Sequence, residues 1–230
     1  MRTPLVLLPG MMCDARLFQP QIAALSADRP VMVMPLNGWA TVPALASDIL
    51  NHAPPVFALA GLSMGGIVAM EIMRQAPERV ARLALMDTNP LAELPEVLAR
   101  RLPQIAAVRD GELRRVMRDE MKPNYLVESA ARQDILDLCM AMAEGLGKDV
   151  FIAQSRALAT RPDQCATLRS LSLPTLILCG RQDVPCPVAR HELMHSLVAG
   201  SNLVIIDDAG HLPTLEQPEK TNEALLKWLN

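Results

Sequence analysis

Six short apolar runs recur along the chain, at residues 5–8, 31–34, 56–60, 82–86, 174–178 and 203–206. Each is four or five residues long and nearly continuous in its hydrophobicity, without the alternation of a strand that keeps one face in water. Such runs predict strands of a parallel sheet covered on both faces. Between them, residues 18–25, 43–50, 66–75 and 189–198 space their apolar positions at helical intervals. Strand and helix therefore alternate, which predicts an α/β fold with a mostly parallel sheet and helices on both faces. Five of the runs lead into glycine or aspartate, at Gly10, Gly61, Asp87, Gly180 and the pair Asp207 and Asp208. Loops beyond the carboxyl ends of strands are where an open α/β sheet assembles its chemistry, so function is to be sought at those positions.

The alternation is interrupted once. Residues 88–171 hold no strand pattern, while 94–102, 112–121, 129–143 and 151–159 read as helices separated by Pro and Gly. A stretch this long between two core strands far exceeds an ordinary crossover. It predicts a helical cap insertion at about 88–171 within one domain spanning 1–230. The insertion is rich in methionine, with Met117, Met121, Met140 and Met142. Methionines at such spacing either pack helices together or line an adaptable apolar pocket, and both readings stay open.

Composition narrows the classes of function. Half the residues are apolar and 3% aromatic, enough for one substantial core. With 22 Lys plus Arg against 25 Asp plus Glu, the net charge is −3, and the basic residues are scattered. A nucleic-acid partner needs a massed basic surface, so none is expected. The five cysteines form no CxxC pair, a poor disulfide framework that fits a reducing compartment and a cytoplasmic protein. The apolar run at 5–8 is far shorter than a signal segment or a membrane span. An apolar cap can cover its own site or another subunit's, so homo-oligomerisation stays open.

The most specific local pattern is Gly61-Leu62-Ser63-Met64-Gly65-Gly66, directly after one expected strand and opening an expected helix. A nucleophile raised on a tight strand-to-helix turn needs very small residues two places before and after it, and a third close by lets the helix pack. Gly61, Gly65 and Gly66 supply them, which makes Ser63 the candidate nucleophile. A serine hydroxyl needs a base to take its proton, and the base needs an acid to hold its tautomer. His211, one short loop past the last expected strand, is the candidate base. Asp183, in the loop after the 174–178 strand, is the candidate acid, with Asp87 its rival and Asp207 or Asp208 behind. An oxyanion needs two pre-aimed donors, and the backbone N–H groups of Met64 and Met11 are placed to supply them. The Met11 and Met12 side chains would then wall the substrate pocket.

A competing pattern is His191-Glu192-Leu193-Met194-His195, an HExxH string on an expected helix. In isolation it proposes a zinc site with Glu192 as base and Glu216 as a third ligand. The strand-end residues already form a constellation without metal, so the string is expected to be an ordinary helix face and no metal is assigned. His52 is expected to face solvent in a loop. Cys13, Cys179 and Cys186 are expected to be small apolar fillers.

Taken in order, these landmarks resemble the α/β-hydrolase family, in particular its small single-domain esterases. Leu7-Leu8-Pro9-Gly10 looks like the family's strand and oxyanion loop, Gly61–Gly66 like its nucleophile elbow, Gly180-Arg181-Gln182-Asp183 like its acid loop and Gly210-His211 like its base loop. The resemblance implies a sheet of up to eight mostly parallel strands, a helical cap after the sixth, and no cofactor. Two departures stand out: Pro9-Gly10 replaces the frequent His-Gly, and the family's opening antiparallel hairpin is missing. The resemblance further implies hydrolysis of a small to medium apolar carboxylic ester through an acyl-enzyme, with a small-molecule ester or other acyl compound as substrate. Lactone or thioester hydrolysis would use the same groups. A non-catalytic ligand receptor or scaffold of the same fold is the reading from a different class.

Overall fold

The six apolar runs become β1 (Leu5–Leu8), β2 (Val31–Val33), β3 (Phe57–Leu62), β4 (Val80–Met86), β5 (Thr175–Gly180) and β6 (Asn202–Ile206) in a computed structural model that describes residues 2–230. They form one sheet in the order β2-β1-β3-β4-β5-β6, with every pairing parallel. Among the described residues this sheet has no antiparallel strand. β1, β3 and β5 are buried at every position, whereas the edge strands β2 and β6 are mostly half-buried. The edge strands carry runs as apolar as the central ones, so the runs mark the strands but not their place in the sheet.

The helices are α1 (Gln19–Leu25), α2 (Val42–His52), α3 (Met64–Gln75), α4 (Pro95–Arg109), α5 (Leu113–Arg115), α6 (Arg132–Ala159), α7 (Cys165–Arg169), α8 (Val188–Leu197), α9 (Pro213–Glu216) and α10 (Pro218–Leu229). Successive strand residues point to opposite faces, which splits the core in two. Val6, Leu8, Leu59, Leu83 and Ile177 pack with Leu45 and Ile49 of α2, Val68 and Ile72 of α3, and Met194 of α8. Leu5, Leu7, Ala58, Ala60 and Leu178 pack with Leu25 of α1 and Leu225, Trp228 and Leu229 of α10. Helices thus cover both faces, as the sequence pattern requires.

The insertion between β4 and β5 carries α4 to α7. Its second expected helix is α5 running into a π-helical turn, Val116–Met121. The expected helices at 129–143 and 151–159 are joined in α6 across a kink at Gly147, whose φ of 81° and ψ of 177° leave helical space. Glycine adopts that positive φ at little steric cost. Among the described residues, no helix is long and apolar enough to cross a membrane.

Candidate active site

Four strand ends converge at one edge of the sheet. β3 ends at Leu62 and α3 begins at Met64, leaving Ser63 at the corner with φ 55° and ψ −115°. A positive φ on a residue with a Cβ costs roughly 1–3 kcal/mol and persists only where its surroundings fix it. The fixing bonds are visible. The Ser63 N–H donates to the Met86 carbonyl at 2.8 Å, and the Ser63 carbonyl accepts from Gly66 N–H, Ile67 N–H and the Thr88 hydroxyl at 3.0, 3.2 and 2.7 Å. The small residues of the turn are sterically required. A Cβ on Gly61 would lie 2.3 Å from the Gly65 carbonyl oxygen, and one on Gly65 would lie 2.0 Å from the Leu8 carbonyl oxygen. On Gly66 it would meet Thr88 Cβ at 2.6 Å.

Ser63 Oγ lies 2.9 Å from His211 Nε2, and His211 Nδ1 lies 2.9 Å from both carboxylate oxygens of Asp183. A carboxylate can only accept, so Nδ1 carries the proton and donates to Asp183, which leaves Nε2 to accept from the serine hydroxyl. Asp183 and His211 are buried and Ser63 is half-buried. The Cys186 N–H holds Asp183 Oδ1 at 2.9 Å. The acid and base loops touch through backbone, since a Cβ on Gly180 would lie 2.0 Å from the Gly210 carbonyl oxygen. The insertion reaches the same point: the Tyr125 carbonyl accepts from the His211 N–H at 2.6 Å, and the two rings meet edge to face at 4.9 Å.

The rival acid sits behind the first. Asp87 is fully buried, and its Oδ1 accepts from Gly180 N–H at 2.9 Å while Oδ2 meets no donor. Burial and the Asp183 charge push its pKa well above the usual carboxylate value, against the pull of the Gly180 N–H. Asp87 is therefore the protonated member of the pair. Asp207 is on the surface, paired with Arg181.

The turn after β1 carries the N–H groups of Met11, the candidate donor, and of its neighbour Met12. Met12 N–H is taken by Gln154 Oε1 at 2.9 Å, and the same amide donates from Nε2 to the Leu36 carbonyl at 2.7 Å. Among the described residues no acceptor takes the Met11 N–H. Met64, as the first residue of α3, has no acceptor within its own helix. Of the methionines considered for a pocket, Met12, Met117 and Met142 are fully buried in the core, and Met142 Sδ accepts from Asp14 N–H. Met121 is half-buried, and Met140 lines a cavity of about 570 Å³ in the insertion.

The HExxH imidazoles do not converge on a common point. His191 is buried, accepts from Thr88 N–H at Nε2 (3.1 Å) and sits 3.4 Å from the Pro187 carbonyl through Nδ1. His195 is exposed beside Ser201, and Glu192 is exposed as well. Glu216 accepts from the N–H groups of Val127, Gly210 and Leu212 at 2.9, 3.0 and 3.0 Å. The ligand-type atoms that do lie within 4.8 Å of one another belong to Asp183, Cys186 and His211, two of which are already paired. His52 is exposed, but it is the last residue of α2 and not in a loop as expected; Cys13 and Cys179 are buried and Cys186 is half-buried. Burial pushes the Cys13 thiol up to about 12 and raises the thiols of Cys179 and Cys186 as well.

Thr88, Tyr125 and Gln154 support the site without any motif to announce them, and His191 supports it in a role other than the one its HExxH string suggested. His191 also makes it sensitive to acid. Burial lowers its pKa from 6.5 to about 4, so the unfolded chain takes up a proton in that interval and the folded chain does not. Stability present above pH 6.5 is thus lost as the pH falls towards 4, by roughly 3 kcal/mol for this group. Urea unfolding at pH 7 and pH 4.5 is expected to show a smaller fall for His191→Gln than for the wild type. Equal falls would contradict the assignment.

A sequence model described as the alpha/beta hydrolase family matches residues 5–224. A pimeloyl-[acyl-carrier protein] methyl ester esterase of Klebsiella pneumoniae is 28% identical over 204 residues, 82% of this chain and 76% of that protein. Among solved structures, a thermophilic esterase from Thermogutta terrifontis, with malate bound, superposes with a TM-score of 0.90 at 32% identity. That match covers 99% of this chain and 89% of the other. An enol-lactonase from Burkholderia xenovorans shares the fold with a TM-score of 0.90 at 20% identity, covering 100% and 92% of the two chains.

Proposed function

The chain belongs to the alpha/beta hydrolase family, and from that premise we propose that it is a serine-dependent carboxylic ester hydrolase acting on a small to medium ester. One observation carries the reading: a hydroxyl on a strained turn shares a 2.9 Å hydrogen bond with an imidazole whose other nitrogen is held by a buried carboxylate. Ser63 Oγ attacks the acyl carbonyl as His211 Nε2 takes its proton, and Asp183 stabilises the imidazolium. The free Met11 and Met64 N–H groups stabilise the oxyanion. His211 then protonates the leaving alcohol as the acyl–oxygen bond breaks. Water, deprotonated by the same imidazole, releases the acid and restores Ser63. The esterases of Klebsiella and Thermogutta among its relatives support an ester over a lactone or thioester.

Reaction with a fluorophosphonate followed by intact mass measurement tests the reading. One adduct is expected on the wild type, none on Ser63→Ala, and slow labelling on His211→Ala. A folded wild type that takes no adduct and turns over no p-nitrophenyl ester would overturn it in favour of a ligand receptor.

A further inference from the structure

Lys122 is the lysine whose placement the fold does not explain. It follows the π-helical turn, is 2% exposed, and its Nζ is enclosed without a hydrogen-bond partner. Its residue lines the insertion's cavity of about 570 Å³, whereas lysines ordinarily keep their ammonium in water. It turns inward instead, with Nζ 4.3 Å from the centre of the Tyr125 ring. The titratable groups acting on it are Cys13, Tyr125 and Cys139, and none is a carboxylate. Burial opposes its charge, and the neutral thiols and phenol around it supply no counter-charge. The arginines lining the same cavity are paired, Arg114 with Glu144, Arg118 with Asp119 and Arg132 with Glu128.

The position of this charge is informative. Tyr125, on which the ammonium rests, packs its ring against His211 at 4.9 Å. Cys13 belongs to the turn after β1 that also carries Met11. A single aromatic ring therefore stands between an unpaired cation and the imidazole bonded to Ser63. Attraction to one ring replaces only part of the hydration an enclosed ammonium gives up. An anion arriving with the ligand would complete the compensation, and perturbed groups of this kind cluster at functional sites.

We propose that Lys122 recognises a carboxylate on the substrate, so that the ester cleaved at Ser63 is a half-ester of a short dicarboxylic acid. Its free carboxylate sits on the ammonium, beside Tyr125 and Cys13. This rests on the ester-hydrolase reading and narrows it: the acyl group expected from the sequence to be apolar carries a negative charge at its far end.

The test has a binding arm and a turnover arm, on wild type, Ser63→Ala, Lys122→Met and Lys122→Arg. Calorimetry of Ser63→Ala with glutarate is expected to show binding, weakened at least tenfold when Lys122→Met is added, with dimethyl glutarate and inorganic phosphate binding poorly. In turnover, wild type is expected to prefer mono-p-nitrophenyl glutarate over p-nitrophenyl pentanoate by tenfold or more in kcat/KM. Lys122→Met is expected to remove that preference chiefly through KM, and Lys122→Arg to retain part of it. Equal losses on both esters would mark Lys122 as structural and overturn the proposal, as would phosphate binding in place of glutarate. Glutarate binding that depends on Lys122, without turnover of either ester, would sustain the anion site and sink the ester reading. Turnover without charge preference would do the reverse.

Discussion

Replacing Ser63 by alanine is expected to lower kcat on a p-nitrophenyl ester by about 10⁴- to 10⁶-fold. The replacement removes the attacking oxygen but leaves the turn, the strand ends and the free Met11 and Met64 N–H groups in place. KM is therefore expected to change little. His211→Ala should cost nearly as much, because a serine hydroxyl at its ordinary pKa is a weak nucleophile. The decisive comparison is the double variant. Groups that act as one unit lose their value together, so Ser63→Ala with His211→Ala should be no slower than either alone. What survives is the contribution of binding and the oxyanion donors. Steady-state kinetics on the three variants, with circular dichroism to establish folding, decides the matter. Multiplying losses would mean that the 2.9 Å contact between Ser63 and His211 is incidental to the chemistry.

The strands were legible because each carries an unbroken apolar run, and all six lie within two or three residues of those runs; burial on both faces explains the runs of β1, β3 and β5 but not those of the half-buried edges β2 and β6. The elbow was legible for a steric reason: the clashes that a Cβ would make at Gly61 and Gly65 leave a fixed spacing in the sequence. The C-terminal helix α10 was legible in principle, since Thr221, Leu225, Trp228 and Leu229 form its buried stripe. What sequence could not supply was the depth at which each polar residue sits. Lys122 looks like a solvated cation in a charged stretch, and only the packing of Tyr125 over it shows otherwise. Thr88, Gln154 and His191 act through bonds to residues tens of positions distant or more, and such pairings leave no local periodicity. The choice of acid had the same character. Asp87 and Asp183 both follow strands, and nothing in the order of residues says which one faces His211.

That choice yields the second large effect. Asp183→Asn is expected to reduce kcat by about 10⁴-fold, because an amide can present its N–H to Nδ1 and so hold the wrong tautomer, with Nε2 protonated and unable to accept from Ser63. Asp87→Asn is expected to reduce it by about tenfold or less. The reason lies in the proton already on Asp87: burial and the neighbouring Asp183 charge hold that carboxyl neutral, and asparagine is close to a neutral acid in size and shape. Its amide can accept from Gly180 N–H as Asp87 Oδ1 does. Asp87→Leu removes the one bond that Asp87 makes, from a fully buried position, and leaves the Gly180 N–H unpaired, a loss of about 1–3 kcal/mol in stability. Kinetics and urea unfolding of the three variants separate the roles. If Asp87→Asn fell as far as Asp183→Asn, the pair would share the acid's function and Asp87 would have to be ionised during turnover, against the electrostatics of its site.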